Sequence, residues 1–241
     1  MDNKTKEANA RVRYSRERTN LLRATEFKTL EFLCSIMPSW ATPNMMTVIG
    51  VIGSGVIAYG LYLARAHENS LFLLVSIGGF IVQWFGDSMD GRLAYYRNIP
   101  RKWYGWSLDI FADWCSIMLT TVGIYFYFPD VPYLALLFLF AYGGTLILTI
   151  SKFTITTKYT IDSGLVGPTE LRVITCLMFL IELGVPGFLY YFGFAAPGII
   201  FVVNILELRK ILKLGDARDR KEKSAKKKQP VLQENEVQEP V

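Results

Sequence analysis

Six stretches of the chain are long and apolar enough to cross a bilayer, which takes roughly 20 mainly apolar residues: 45–64, 70–94, 106–128, 132–155, 168–185 and 187–207. Gly184, Pro186 and Gly187 leave only a tight turn between the last two. Ahead of them Leu22, Phe27, Leu30, Leu33 and Met37 recur at intervals of three to five, with Arg23, Lys28 and Glu31 between. That period predicts an amphipathic helix, lying in the membrane interface or packed on the protein's own face, and closed by Pro38 and Trp40. From Asp216 onward the chain is charged and poor in apolar residues, a pattern that predicts disorder. The expected fold class is an all-α integral membrane protein: an N-terminal segment over 1–40, a six-helix transmembrane domain over 41–210 and a basic, disordered tail over 211–241.

Composition agrees, with 51% hydrophobic and 14% aromatic residues among 241. The net charge of +5 is unevenly spread. Arg92, Arg97, Arg101 and Lys102 join spans two and three, Lys152, Lys158 and Arg172 flank the connection from four to five, and ten more basic residues follow Glu207. The other three connections hold only Arg65. Basic residues in short loops stay cytoplasmic, so this asymmetry predicts cytoplasmic termini and a basic balance directed at membrane lipids, with no nucleic-acid partner. Cys34, Cys115 and Cys176 are odd in number and lie in apolar surroundings, which predicts neither disulfide nor zinc site. His67 stands alone in a polar loop, and the charged N-terminus does not read as a cleavable signal peptide.

Ionised residues inside a span are costly and mark function. Asp87 and Asp90 are three apart near the end of span two, and Asp109 and Asp113 are four apart near the start of span three. Each pair shares a helical face. Because a short loop makes the two helices antiparallel neighbours, the acidic faces meet at one depth. Four gathered carboxylates repel unless cations lie between them, and an all-oxygen donor set suits Mg²⁺, or Mn²⁺ or Ca²⁺, with room for a pair of ions. Gly91 and Gly105 flank the cluster, where glycine permits close approach of a ligand or a neighbouring backbone. A cation transporter would also place acids within its spans. It would carry polar residues through the full depth of the bilayer, whereas here the acids stop at one leaflet.

The run Asp87-Ser-Met-Asp90-Gly91-Arg92-Leu93-Ala94-Tyr95, nine further residues, then Gly105-Trp-Ser-Leu-Asp109-Ile-Phe-Ala-Asp113 resembles the signature of the CDP-alcohol phosphotransferase family, D-x2-D-G-x2-A-R…G-x3-D-x3-D. Seven of its eight fixed positions match; Tyr95 stands where the family has arginine. Pro43-Asn44-Met-Met-Thr47 looks like the family's P-N-x-x-T entry, and Gly167-Pro-Thr-Glu170-Leu-Arg172 resembles a stretch of its short bacterial members. The likeness spans about residues 20–210.

The resemblance implies an enzyme of phospholipid biosynthesis, in a bacterial inner membrane, that moves a phospho-alcohol from a CDP-alcohol donor to an alcohol acceptor and releases CMP. It implies Asp87, Asp90 and Asp109 as metal ligands, with Asp113 sharing coordination and acting as general base. It also implies a CDP site at Pro43, Asn44, Thr47, Asp90, Gly91, Ala94 and Gly105. The absent arginine is expected to hold the donor's pyrophosphate, with Arg92 or Arg97 as substitutes; the same departure leaves open a catalytically impaired scaffold. Glu170 and Arg172 are candidates for contacting the acceptor or its phosphate, against the alternative of an ion pair. The donor is CDP-diacylglycerol with a polar acceptor bound by the segment from Thr154 to Arg172, or else a CDP-linked head group with a lipid alcohol acceptor. The family's habit of pairing makes a homodimer the further expected partner.

Overall fold

The structure, a computed structural model, describes residues 23–156 and 167–236. Among them it contains seven α-helices and no strand: α1 (Arg23–Ile36), α2 (Pro43–Ala66), α3 (Leu73–Tyr96), α4 (Lys102–Tyr127), α5 (Tyr133–Thr156), α6 (Pro168–Gly184) and α7 (Phe188–Glu236). A single 3₁₀ turn, Ser70–Phe72, leads into α3.

Helix α2 begins where its sequence dictates. Thr42 is the N-cap, its hydroxyl accepting from the Met45 backbone N–H at 3.2 Å, and Pro43 occupies the first turn, where no backbone donor is needed. The turn between α3 and α4 passes through Asn98 at φ 60°, a conformation asparagine tolerates, and folds α4 back antiparallel to α3.

The tightest packing runs along α2 and α3 and is made by missing side chains. A Cβ on Gly86 would lie 2.3 Å from the Gly50 backbone nitrogen, one on Gly53 2.4 Å from that of Gln83, and one on Gly79 2.6 Å from that of Ile57. Backbones in such contact gain dispersion that lipid-facing side chains cannot supply. Ser76, fully buried, closes the far end by donating to the Ile57 carbonyl at 2.9 Å. Helix α4 joins this pair through Gly123, where a Cβ would stand 2.7 Å from the Ala58 Cα.

Helices α5 and α7 pair differently, through polar groups. Asn204 donates to the Ala141 carbonyl at 2.7 Å and accepts from the Thr145 hydroxyl at 2.9 Å, while Lys152 and Glu207 form an ion pair at 2.8 Å. Large apolar residues such as Phe140, Ile147, Ile81 and Ile199 point outward, as a lipid environment requires.

Among the described residues five helices are long and apolar enough to cross a membrane, which makes this a multi-pass membrane protein: α2, α3 with its preceding turn, α4, α5 and the first part of α7. The sixth expected window, 168–185, becomes α6, of 17 residues. At about 25 Å it falls short of the roughly 30 Å hydrocarbon core, and Glu170, Arg172 and Glu182 shorten its apolar stretch further. It nevertheless reaches both ends of the bundle. Thr169 donates to the α1 residue Glu26 at 3.2 Å, and at the opposite end Glu182 accepts from the backbone of Gly187 and Leu189 at 2.8 and 2.7 Å, tying down the turn into α7.

Of the two placements expected for the N-terminal helix one is seen, and the reading of the tail is revised. The amphipathic α1 lays Leu30 and Cys34 against Met89 and Leu93 of α3, so its apolar stripe packs on the bundle, with Phe32 and Ile36 turned outward. The tail expected to be disordered from Asp216 instead continues α7 to Glu236. Its Lys, Arg, Glu and Ala residues are good helix formers extending a helix already nucleated. Arg218 also donates to the Thr154 and Ile155 carbonyls at 2.8 and 3.0 Å, capping the end of α5, and pairs with Glu222 one turn on.

Candidate active site

All four aspartates border one small chamber between α2, α3, α4 and α6. Asp87 and Asp90 come from the last turns of α3, and Asp109 and Asp113 from the first turns of α4. The glycine contacts between α2 and α3 determine what faces them: with Gly86 pressed on Gly50, Thr47 of α2 comes opposite Asp90 and donates to its Oδ2 at 3.0 Å. The chamber measures about 10 Å³, the size of a single water or ion. Gln83 and Ser116 complete its wall.

Arg172 enters this chamber from α6 and donates through Nη2 to Asp87 Oδ2 at 2.5 Å, both side chains being largely shielded from solvent. The partner expected of Arg172 on sequence grounds is an acceptor phosphate or a neighbouring acid, and in the structure it is an acid of the cluster itself. Glu170, its neighbour, does not line the chamber. It is buried and accepts from the Gly167 backbone N–H at 3.0 Å, capping its own helix.

The donor set is all oxygen, as a hard divalent cation demands. Among the described residues, however, no three His, Cys, Asp or Glu side chains converge closely enough to form a ligand set. The carboxylates share a chamber, with the guanidinium of Arg172 drawing Asp87 to itself.

Asp90 and Asp109 also form the floor of a second, wider cleft that opens outward from the chamber. Pro43, Asn44, Thr47, Gly91, Ala94 and Gly105, the residues expected to handle CDP, all line it. Tyr95 lines it as well. At Gly105 a Cβ would meet nothing within 4 Å, so the glycine leaves open space in the cleft instead of seating a helix contact.

Two expected phosphate candidates lie elsewhere. The Arg92 guanidinium stands 4.8 Å over the Phe27 ring of α1. Arg97 donates to the Pro38 carbonyl at 2.6 Å and to that of Ala41, so it staples the connection between α1 and α2 to the end of α3.

Among the described residues, the cations that do reach the cleft are Arg101 and Lys102, in company with Trp103, Tyr104, Trp106 and Phe153. On sequence grounds both cations count only as loop charges that set topology. The alternation Arg-Lys-Trp-Tyr-Gly-Trp over 101–106 is the signal that could have found them, but it equally describes a membrane-interface belt. The Trp106 ring lies tilted against Phe153 of α5, centroids 4.9 Å apart, and its indole N–H is buried without a hydrogen-bond partner among the described residues. Residues 157–166, part of the segment expected to bind a polar acceptor, lie outside the described residues.

Comparison with the curated proteins gives no match. The family model for CDP-alcohol phosphatidyltransferases, in contrast, matches residues 40–206, a stretch that contains both aspartate pairs, the cleft and helices α2 to α6. The chain with two aspartate pairs meeting in one chamber is therefore a member of the CDP-alcohol phosphatidyltransferase family.

Proposed function

We propose that the chain transfers a phospho-alcohol from CDP-diacylglycerol to a second, polar alcohol and releases CMP, in phospholipid biosynthesis. The observation that carries this reading is the chamber in which Asp87, Asp90, Asp109 and Asp113 meet at the floor of an open cleft. The cleft accommodates the nucleotide half of the donor, between the entry of α2 and the loop leading into α4. Its aromatic rim suits a ligand that is part headgroup, part lipid.

Mg²⁺, one ion or a pair, would be held by Asp87, Asp90 and Asp109 once their carboxylates draw closer together than they stand here, and would supply neutralisation of the donor's pyrophosphate and of the leaving CMP. The chain's own residues do the rest. Thr47 orients the Asp90 carboxylate through its hydroxyl. Asp113, the deeper of the two on α4, accepts the acceptor's hydroxyl proton as the new O–P bond forms and the bond to CMP breaks. Arg172, already among the acids, compensates their charge and stands where an acceptor phosphate would enter.

All these groups lie at one end of the bundle, the end that carries the basic loops and the tail, and we assign that end to the cytoplasm. With α6 counted as a short sixth crossing, both described ends of the chain fall on that side.

The test is CMP release by the detergent-purified protein with CDP-diacylglycerol and a panel of acceptors: inositol phosphate, glycerol phosphate and serine. CMP is expected only with Mg²⁺ and one acceptor present, and its loss on chelation should reverse on adding the metal back. Absence of CMP with every acceptor, and with CDP-linked head groups plus diacylglycerol, would sink the proposal.

A further inference from the structure

The family's signature arginine is missing at position 95, and the tyrosine that replaces it lines the donor cleft without offering a cation. Arg92 and Arg97, nearest in sequence, have their guanidinium groups turned to Phe27 and to the backbone of the α1–α2 connection. Arg172 is held in the inner chamber by Asp87. If a guanidinium is to grip the pyrophosphate beside the metal, it must come from another residue that lines the cleft.

Arg101, the residue just ahead of α4, lines the same cleft from the other side of the α3–α4 turn. Its Nη2 donates to Asn44 Oδ1 at 2.9 Å, and its guanidinium carbon lies 4.2 Å over the Tyr104 ring. Asn44 in turn donates to the Tyr104 hydroxyl at 3.1 Å, so side chains from α2, from α4 and from the residue just ahead of α4 hold one another. Both partners of Arg101 are neutral, and among the described residues no carboxylate pairs with it. A guanidinium has five N–H donors, and one hydrogen bond leaves several directed outward in a fixed fork that matches two phosphate oxygens. Lys102 also borders the cleft, but its ammonium lies over Trp103, 5.2 Å away, and presents a single point charge.

We propose that Arg101, fixed by Asn44 and Tyr104, is the residue that grips the donor's pyrophosphate in this chain, in place of the arginine that the family carries at position 95. The proposal rests on the CDP-donor reading above. It makes Asn44 a positioning residue as well as a wall of the nucleotide cleft.

Isothermal titration of CDP into the detergent-purified protein, alongside donor and acceptor kinetics, tests it. Arg101→Ala is expected to weaken CDP binding by about ten-fold or more, the loss typical of a charge-assisted hydrogen bond. Donor KM should rise in step, with kcat and acceptor KM little changed and the melting point held. Adding Tyr95→Arg to Arg101→Ala should recover most of the CDP affinity, because either position brings a guanidinium to the same cleft. CDP affinity equal to that of the unaltered chain overturns the proposal. So does a loss that Tyr95→Arg fails to repair, which would mark Arg101 as a structural support of Asn44. Failure of the unaltered chain to bind CDP at all would remove the donor reading itself, and this proposal with it.

Discussion

Asp113 and Asp87 stand in one chamber yet carry different duties in the proposed reaction, and substitution should separate them. Asp113→Asn keeps size and hydrogen bonding but cannot take a proton in the required way. It is expected to retain CDP binding and to lower kcat by about 100-fold or more. Asp87→Asn should instead raise the Mg²⁺ concentration needed for half-maximal rate, since it weakens a ligand and frees Arg172 from its partner. Equal CMP release by Asp113→Asn and the unaltered chain would withdraw the general-base assignment. Cys34 provides a check at a distance from the chemistry. Burial against Met89 and Leu93 pushes its thiol up from 9.0 to about 11. A folded-state value that is raised favours the folded protein below the ordinary value and loses that contribution as pH climbs from 9.0 to about 11. At pH 8 the thiol is neutral and covered, so a maleimide should label it only after denaturant is added. Rapid labelling of a Cys115→Ala/Cys176→Ala protein at that pH would show that α1 leaves the bundle.

At the scale of elements, the helices and the acidic faces are legible in the sequence, because apolar run length and three- or four-residue spacing are local properties. What the sequence does not carry is which side chains another element engages. Arg97 and Arg101 look alike in sequence; one is bound to backbone carbonyls of the α1–α2 connection and the other borders the cleft. Glu170 and Arg172 are two residues apart, and only the second reaches the acids. The tail departs from expectation for a related reason: its composition resembles that of disordered segments, and its helix depends on α7 behind it and on the α5 end that Arg218 caps. Glycines divide in the same way, and a paired substitution separates packing from ligand approach. Gly86→Ala drives a methyl group into the Gly50 backbone and is expected to lower the thermal midpoint by several degrees, about what a core clash of 1–3 kcal/mol produces. Gly105→Ala meets no atom of the protein, so its midpoint should not move while donor KM rises. A fall in midpoint for Gly105→Ala, with donor KM unchanged, would assign that glycine to packing.

For the whole molecule, five long apolar helices make the membrane setting plain, whereas the count of crossings turns on α6 and its 17 residues. If α6 crosses, a tag placed before Arg23 and one placed after Val241 share a side. In sealed inverted vesicles both tags should be cut by added protease; protection of one and cleavage of the other would leave α6 as a half-span. The assembly itself has two unlike halves. Helices α2, α3 and α4 close on glycine and alanine, while α5 and α7 are joined by Asn204 and by the Lys152–Glu207 pair. The interlocked backbones of α2 and α3, which mesh at Gly53, Gly79 and Gly86, have a consequence for where such an enzyme can work. Two helices meshed at successive turns cannot slide along each other. In a bilayer thinner or thicker than their apolar length the pair must tilt as one body, and the neighbouring lipid takes up the mismatch. The distance from Thr47 to Asp90 is then set by protein alone, leaving the chemistry indifferent to the acyl-chain length of the very lipids the enzyme helps to make.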